Sequence, residues 1–250
     1  MTRFDRTRRW TSAAGACAAG LAALALGGCN LLHPPTIEEQ ADKIATVKVL
    51  HQYYPQQYQE VIAMLKAASP AAADDEQAKA AIEDKVRPVI ASLMVKQAPK
   101  MNDENALALF QLTLEEAQTT RQKSPEECGK MLTGGGQFGV SVESILTKDE
   151  VQRDAALSAK VLEQTATAPA PPPPPIDRAA TGAMARKAID SLQPQTKADL
   201  MPVLQTGGRP SGAMQEAAMC DYTIALLKLM LAEPKEKAGP ILRNMAAMAG

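Results

Sequence analysis

Aromatic side chains are scarce: three Phe, four Tyr and one Trp among 250 residues. Strands favour aromatic and β-branched residues, so a sheet-rich fold loses ground. An excess of one charge is also missing. Lys and Arg number 27 against 28 Asp and Glu, which excludes the strongly basic surface that holds nucleic-acid phosphates, and no nucleic-acid partner is expected. Histidine is confined to His33 and His51, so a histidine-based triad or zinc site would have to use His51. No Ser-x-x-Lys, G-x-S-x-G, H-E-x-x-H or EF-hand pattern occurs. What the chain does have is Ala, Leu, Gln, Glu and Lys, the strong helix formers. With 46% of its residues hydrophobic, it can build a core, and wholesale disorder is excluded.

The first segment reads as an address. Arg3, Arg6, Arg8 and Arg9 precede an Ala/Leu/Gly run from Ser12 to Gly28, the layout of an export signal. The run stops at Leu26-Gly27-Gly28-Cys29. This tetrad resembles the lipobox of bacterial lipoproteins, in which a bulky aliphatic residue and two small ones precede the cysteine at a narrow peptidase site. The resemblance implies that residues 1–28 are a signal peptide and that Cys29 becomes the first residue of the mature protein. Cys29 would carry a thioether diacylglycerol and an amide-linked acyl chain such as palmitate. Two or three chains anchor where one does not, because each buried methylene contributes about 0.8 kcal/mol. The competing reading, an uncleaved membrane span, suffers because the run is short, Gly-rich and ends in a cleavage pattern. Twin-arginine export is disfavoured by Trp10 and Thr11 after Arg8 and Arg9. Asn30, where Asp would favour inner-membrane retention, makes the periplasmic face of the outer membrane the expected location.

Loss of residues 1–28 removes four Arg and one Asp and leaves a mature charge of −4. It also leaves Tyr53, Tyr54, Tyr58, Phe110, Phe138 and Tyr222 as the only aromatics. The core is therefore expected to be aliphatic and Met-filled.

After a tether over 29–35, Thr36 and Glu39 form a capping box, and Ile37, Ala41, Ile44, Val47 or Lys48, and Leu50 or His51 follow at helical spacing. This pattern predicts one helix to about Tyr54. A second starts at Pro55 with the stripe Tyr58, Val61, Ile62 and Leu65, and is broken at Ser69 and Pro70. A third carries Ala78, Ile82, Val86, Val89, Ile90 and Leu93, with Pro88 expected to kink or divide it. Asn102 and Asp103 restart the pattern for Leu107, Phe110, Leu114 and Ala117, and Ser124-Pro125 opens a short helix with Cys128. Gly134, Gly135, Gly136 and Gly139 predict a flexible loop around Phe138, after which Thr147 and Glu150 cap a helix to about Gln164. Five consecutive prolines, Pro171 to Pro175, predict an extended polyproline conformation at roughly 3.1 Å per residue. Beyond them, helices are expected near 178–191, 197–204, 214–232 and 235–247, with Pro202, Pro234 and Pro240 near ends or kinks. Cys220, Ile224, Leu227 and Leu231 mark one buried face.

The fold class is thus all-α: an amphipathic helical bundle over 36–166 and a C-terminal helical segment over 177–250, as one bundle or as two sub-bundles joined by the Pro-rich linker 167–176. The proline run suits a spacer or a recognition segment for a proline-binding domain. With Cys17 in the signal and Cys29 acylated, Cys128 and Cys220 remain as a pair in an oxidising compartment, and a disulfide between them is expected. The alternative is two buried free thiols.

Catalytic signals are thin. Gly134 to Gly139 spells G-x-G-x-x-G without a preceding strand, so a turning loop is the simpler reading than a dinucleotide site. Glu143-Ser144 resembles the Glu-Ser pair of lytic transglycosylases, which implies Glu143 as the acid that protonates a glycosidic oxygen. The Gly-Leu-Met-Gln segment of that family does not follow. Met214, Met219, Met230, Met245 and Met248 could hold Cu(I), but core filler is the favoured reading. No catalytic centre, metal or cofactor is expected. The function expected is that of a lipid-anchored envelope protein that binds or scaffolds. A peptidoglycan-cleaving enzyme using Glu143 and a carrier of an apolar ligand are the alternatives.

Overall fold

The computed structural model describes residues 36–67, 76–133, 146–207 and 209–248, with backbone alone for 76–85 and 248. The signal, the tether with Cys29, the Gly134–Gly139 loop and the Glu143-Ser144 pair lie outside the described residues. No strand occurs among those described. The chain is all-α, with helices α1 Ile37–Ala41, α2 Ala45–Tyr53, α3 Pro55–Ala67, α4 Glu76–Gln97, α5 Asp103–Lys123, α6 Pro125–Thr133, α7 Lys148–Thr167, α8 Arg178–Asp190, α9 Pro194–Thr206, α10 Ala213–Leu231 and α11 Lys235–Met248.

Both capping boxes form. At α1, the Thr36 hydroxyl accepts from Glu39 N–H at 3.2 Å and Glu39 Oε2 accepts from Thr36 N–H at 2.8 Å; at α7, Thr147 and Glu150 repeat the exchange. Each box satisfies two backbone donors that a helix start leaves open. The helix expected to run from Thr36 to Tyr54 is nevertheless two. Asp42 closes α1, and Ile44 takes an extended conformation, φ −87° and ψ 120°, before α2 starts. The two pieces have different neighbours: α1 lies on α3, while α2 lies on α3 and α7. The break lets each face its own partner.

Pro88 does not divide α4, and Pro202 and Pro240 sit inside α9 and α11 rather than at their ends. A proline interior to a helix removes one ladder bond, and burial of the stripes on either side outweighs that loss. Val86, Val89, Ile90 and Leu93 are all buried around Pro88.

Three apolar clusters run into one another. The first joins α1 to α4 through Val47, Leu50, Val61 and Leu65 and receives Leu162 from α7. The second joins the 3₁₀ turn at Ala98–Lys100 with α5, α7, α10 and α11 through Met101, Ala106, Val161, Met230 and Leu242. Met94, Met184 and Met245 fill its margins, so the scarcity of aromatics is met by thioethers. The third is Ala117, Cys128 and Cys220, with Met131, Leu132 and Ile224 against it. Val161 and Leu162, adjacent in sequence and fully buried, belong to different clusters and stitch them together.

α10 lies against α5, α6, α8, α9 and α11. Residues 35–250 are consequently one compact unit. Of the two arrangements left open by the sequence, the single bundle is the one adopted. The stretch over 167–176 crosses its surface instead of separating two bodies.

Candidate functional site

Cys128 and Cys220 are joined as a disulfide, with Cα atoms 5.5 Å apart and a sequence separation of 92. The bond ties α6 to α10 where the two backbones nearly touch. A Cβ built on Gly129 would lie 2.0 Å from the Glu216 carbonyl oxygen, so only glycine allows this approach. Next to it, Arg121 Nε and Nη2 donate to the two oxygens of Asp221 at 2.6 and 3.3 Å, a fork that fixes α5 against α10.

A carboxylate group lies between α5 and α7. Glu150 accepts from the Thr147 backbone at 2.7 Å, from the Thr147 hydroxyl at 2.8 Å and from the Thr119 hydroxyl at 3.0 Å. These donors hold its pKa below the usual carboxylate range. Glu116 has the opposite environment. Its Oε1 is sealed from water with no hydrogen-bond partner, and burial, helped by Asp154 and Glu150, pushes its pKa up to about 8. Glu116 therefore keeps its proton at neutral pH. Two carboxyl groups driven in opposite directions are a pattern shared with acid-base sites, but no metal-binding group of three His, Cys, Asp or Glu forms among the described residues.

His51 sits elsewhere. It stacks on Tyr58, ring centroids 4.1 Å apart and planes within 5°. Its Nδ1 lies 2.9 Å from Asp42 Oδ2. The Tyr54 hydroxyl donates to the Leu162 carbonyl at 2.8 Å and locks α2 to α7. No nucleophile joins His51 and Asp42 in the contacts described, so this group orders α1 against α2 and α3.

Between α3 and α4 is a groove of about 230 Å³ lined by Gln57, Glu60, Met64, Pro88, Val89, Ser92, Leu93 and Lys96. It is smaller than the roughly 300–1,000 Å³ of ordinary ligand sites. Its lining mixes Met64, Val89 and Leu93 with Gln57, Glu60 and Lys96. Of the Met residues weighed for copper, Met230 is buried in the second cluster, whereas Met214 is 70% exposed at the start of α10.

The least expected polar centre is Arg243 on α11. Its side chain is only 6% exposed. Nη1 donates to Asp103 Oδ1 at 3.2 Å, and Nη2 donates to the Pro99 carbonyl at 3.4 Å and to the Pro171 carbonyl. The neighbouring Asn244 Nδ2 donates to the Pro174 carbonyl at 2.8 Å. A planar guanidinium satisfies several acceptors at once, as an ammonium would not. Arg243 thus joins α11, the start of α5, the 3₁₀ turn and the proline run. Gly239 permits the approach, since a Cβ there would come within 2.5 Å of Asp103 Cβ. Sequence reasoning missed both Arg243 and Glu116. The available signal for Arg243 was its place directly after Leu242 on a Met- and Ile-bearing helix.

Comparison of the chain with protein-family models, with curated proteins and with solved structures finds no match in any of the three.

Proposed function

We propose that the chain is a lipid-anchored protein of the cell envelope, held by acyl chains on Cys29 at the periplasmic face of the outer membrane, whose helical body binds or scaffolds other envelope components. The observation that carries this reading is the Leu26-Gly27-Gly28-Cys29 tetrad at the end of an arginine-led apolar run. The Cys128–Cys220 bond supports it, because structural disulfides belong to oxidising compartments and are rare in the cytosol. A binding role is favoured over chemistry by where the polar side chains are used. Arg243, Asn244, Arg121 and Gln164 each join one element to another.

The test is metabolic labelling with radioactive palmitate followed by membrane fractionation. The parent should be labelled and float with outer membranes, and Cys29→Ala should lose the label and the flotation. Equal labelling of the two proteins would end the proposal.

A further inference from the structure

The proline run favours one conformation. Proline fixes φ near −65°, and a residue that precedes proline is driven to extended angles. Ala170 to Pro174 each precede a proline. The result is a left-handed rod with three residues per turn, about 20 Å long over its seven residues.

Exposure follows that period. Ala170, Pro173 and Ile176 are half-buried, while Pro171, Pro172, Pro174 and Pro175 are exposed. One edge of a three-edged rod lies on the protein, and two edges face water. The attachment is polar and spaced by one turn: Ala170 N–H donates to the Lys100 carbonyl at 2.9 Å, Arg243 donates to the Pro171 carbonyl and Asn244 to the Pro174 carbonyl. Linking α7 to α8 requires none of this. An ordinary connector of that length would be polar and variable in conformation, whereas this one is pinned at three points and offers proline rings to solvent. Directly beyond it, Asp177 caps α8, and Arg178 is exposed and makes no ion pair among the described residues.

We propose that the segment from Ala170 to Ile176 is a ready-made polyproline ligand, presented to the aromatic-lined groove of a separate folded domain with an acidic rim opposite Arg178. Grooves of this kind take proline rings from two edges of the rod between aromatic side chains. Four exposed prolines on two edges supply them. Folding of the bundle has already ordered the rod, so the loss of freedom that a free peptide suffers on binding is reduced here. The proposal deepens the binding role above and is independent of the lipid anchor.

The probe is an isolated WW-type domain that reads uninterrupted proline runs, followed by its own groove tryptophan. The processed chain retains no tryptophan, because Trp10 lies in the leader. The ligands are the processed protein, a free peptide spanning 168–178, the double variant Pro172→Ala/Pro175→Ala, and Asn244→Ala. The processed protein should bind about three- to tenfold more tightly than the peptide. The double variant, altered only on one solvent-facing edge, should lose tenfold or more of the affinity with an unchanged melting temperature. Asn244→Ala should fall back to the peptide's affinity. Binding of the peptide without the protein would overturn the proposal, as would equal binding by the double variant, or no binding by either ligand. In living cells, a photocrosslinker at position 172 should give an adduct that one at 173 does not, with a protein that binds the 168–178 peptide in isolation. Absence of that adduct would also overturn it. None of these measurements depends on Cys29 acylation, so either proposal can fail alone.

Discussion

Glu116 holds a proton that an exposed glutamate would have released, because its Oε1 is sealed and Asp154 and Glu150 add negative potential. A free glutamate titrates near 4.5 and Glu116 near 8, so between those values the folded state binds more protons than the unfolded chain. Its stability must therefore fall as pH rises through that window, with the contribution intact below 4.5 and lost above 8. Glu116→Gln, which imitates the protonated acid, should flatten that slope. Urea unfolding at both ends should find the variant equal to the parent in acid and more stable in mild alkali. Equal slopes for the two proteins would refute the assignment. Glu116 was not readable from the sequence. Leu112, Leu114 and Ala117 announce the buried face of α5, but the burial that holds the proton on Glu116, and the α7 carboxylates that add to it, come only with tertiary packing. Arg243 was hidden for the same reason, since Asp103 and Pro171 are remote from it along the chain.

Helices were legible wherever local chemistry decides their ends. Thr36 with Glu39, Asn102 and Thr147 with Glu150 all cap as their side chains dictate, and the stripe Tyr58, Val61, Ile62 and Leu65 is buried as spaced. The division at Ile44 was not legible, because it answers to which neighbour each short helix meets. The pairing of α6 with α10 lies between these cases: two cysteines suggest it, and the close approach at Gly129 completes it. The bond should contribute about 4–5 kcal/mol in the chain-entropy model for a loop this long. Cys128→Ala/Cys220→Ala, or the parent under reductant, should unfold at a clearly lower denaturant midpoint. An unchanged midpoint, or recovery of both thiols alkylated from nonreduced protein, would refute the pairing.

Over the whole molecule, the proline run looked in sequence like a boundary, and its composition does change sharply there. What the pattern could not convey is that the apolar face of α10 and α11 seeks α5 and α6 across that boundary, through Met230 and Leu242 against Met101 and Ala106. Val161 and Leu162 extend the same continuity to the first four helices. A chain lacking residues 1–28 should then unfold as one cooperative unit, with far-ultraviolet circular dichroism and calorimetry giving coincident transitions. A separate early transition confined to 178–250 would show two independent bodies.

The ring closed by Cys128 and Cys220 encloses α7, the proline run, α8 and α9. For a chain exported as proposed, this imposes an order on biogenesis. The N-terminal thiol of the pair reaches the oxidants first and must wait, unpaired, until another 92 positions have been threaded through the translocon. With Cys17 discarded in the leader and the Cys29 sulfur occupied by lipid, it meets no rival within its own polypeptide during that delay. Faithful oxidation then needs no isomerase to correct it.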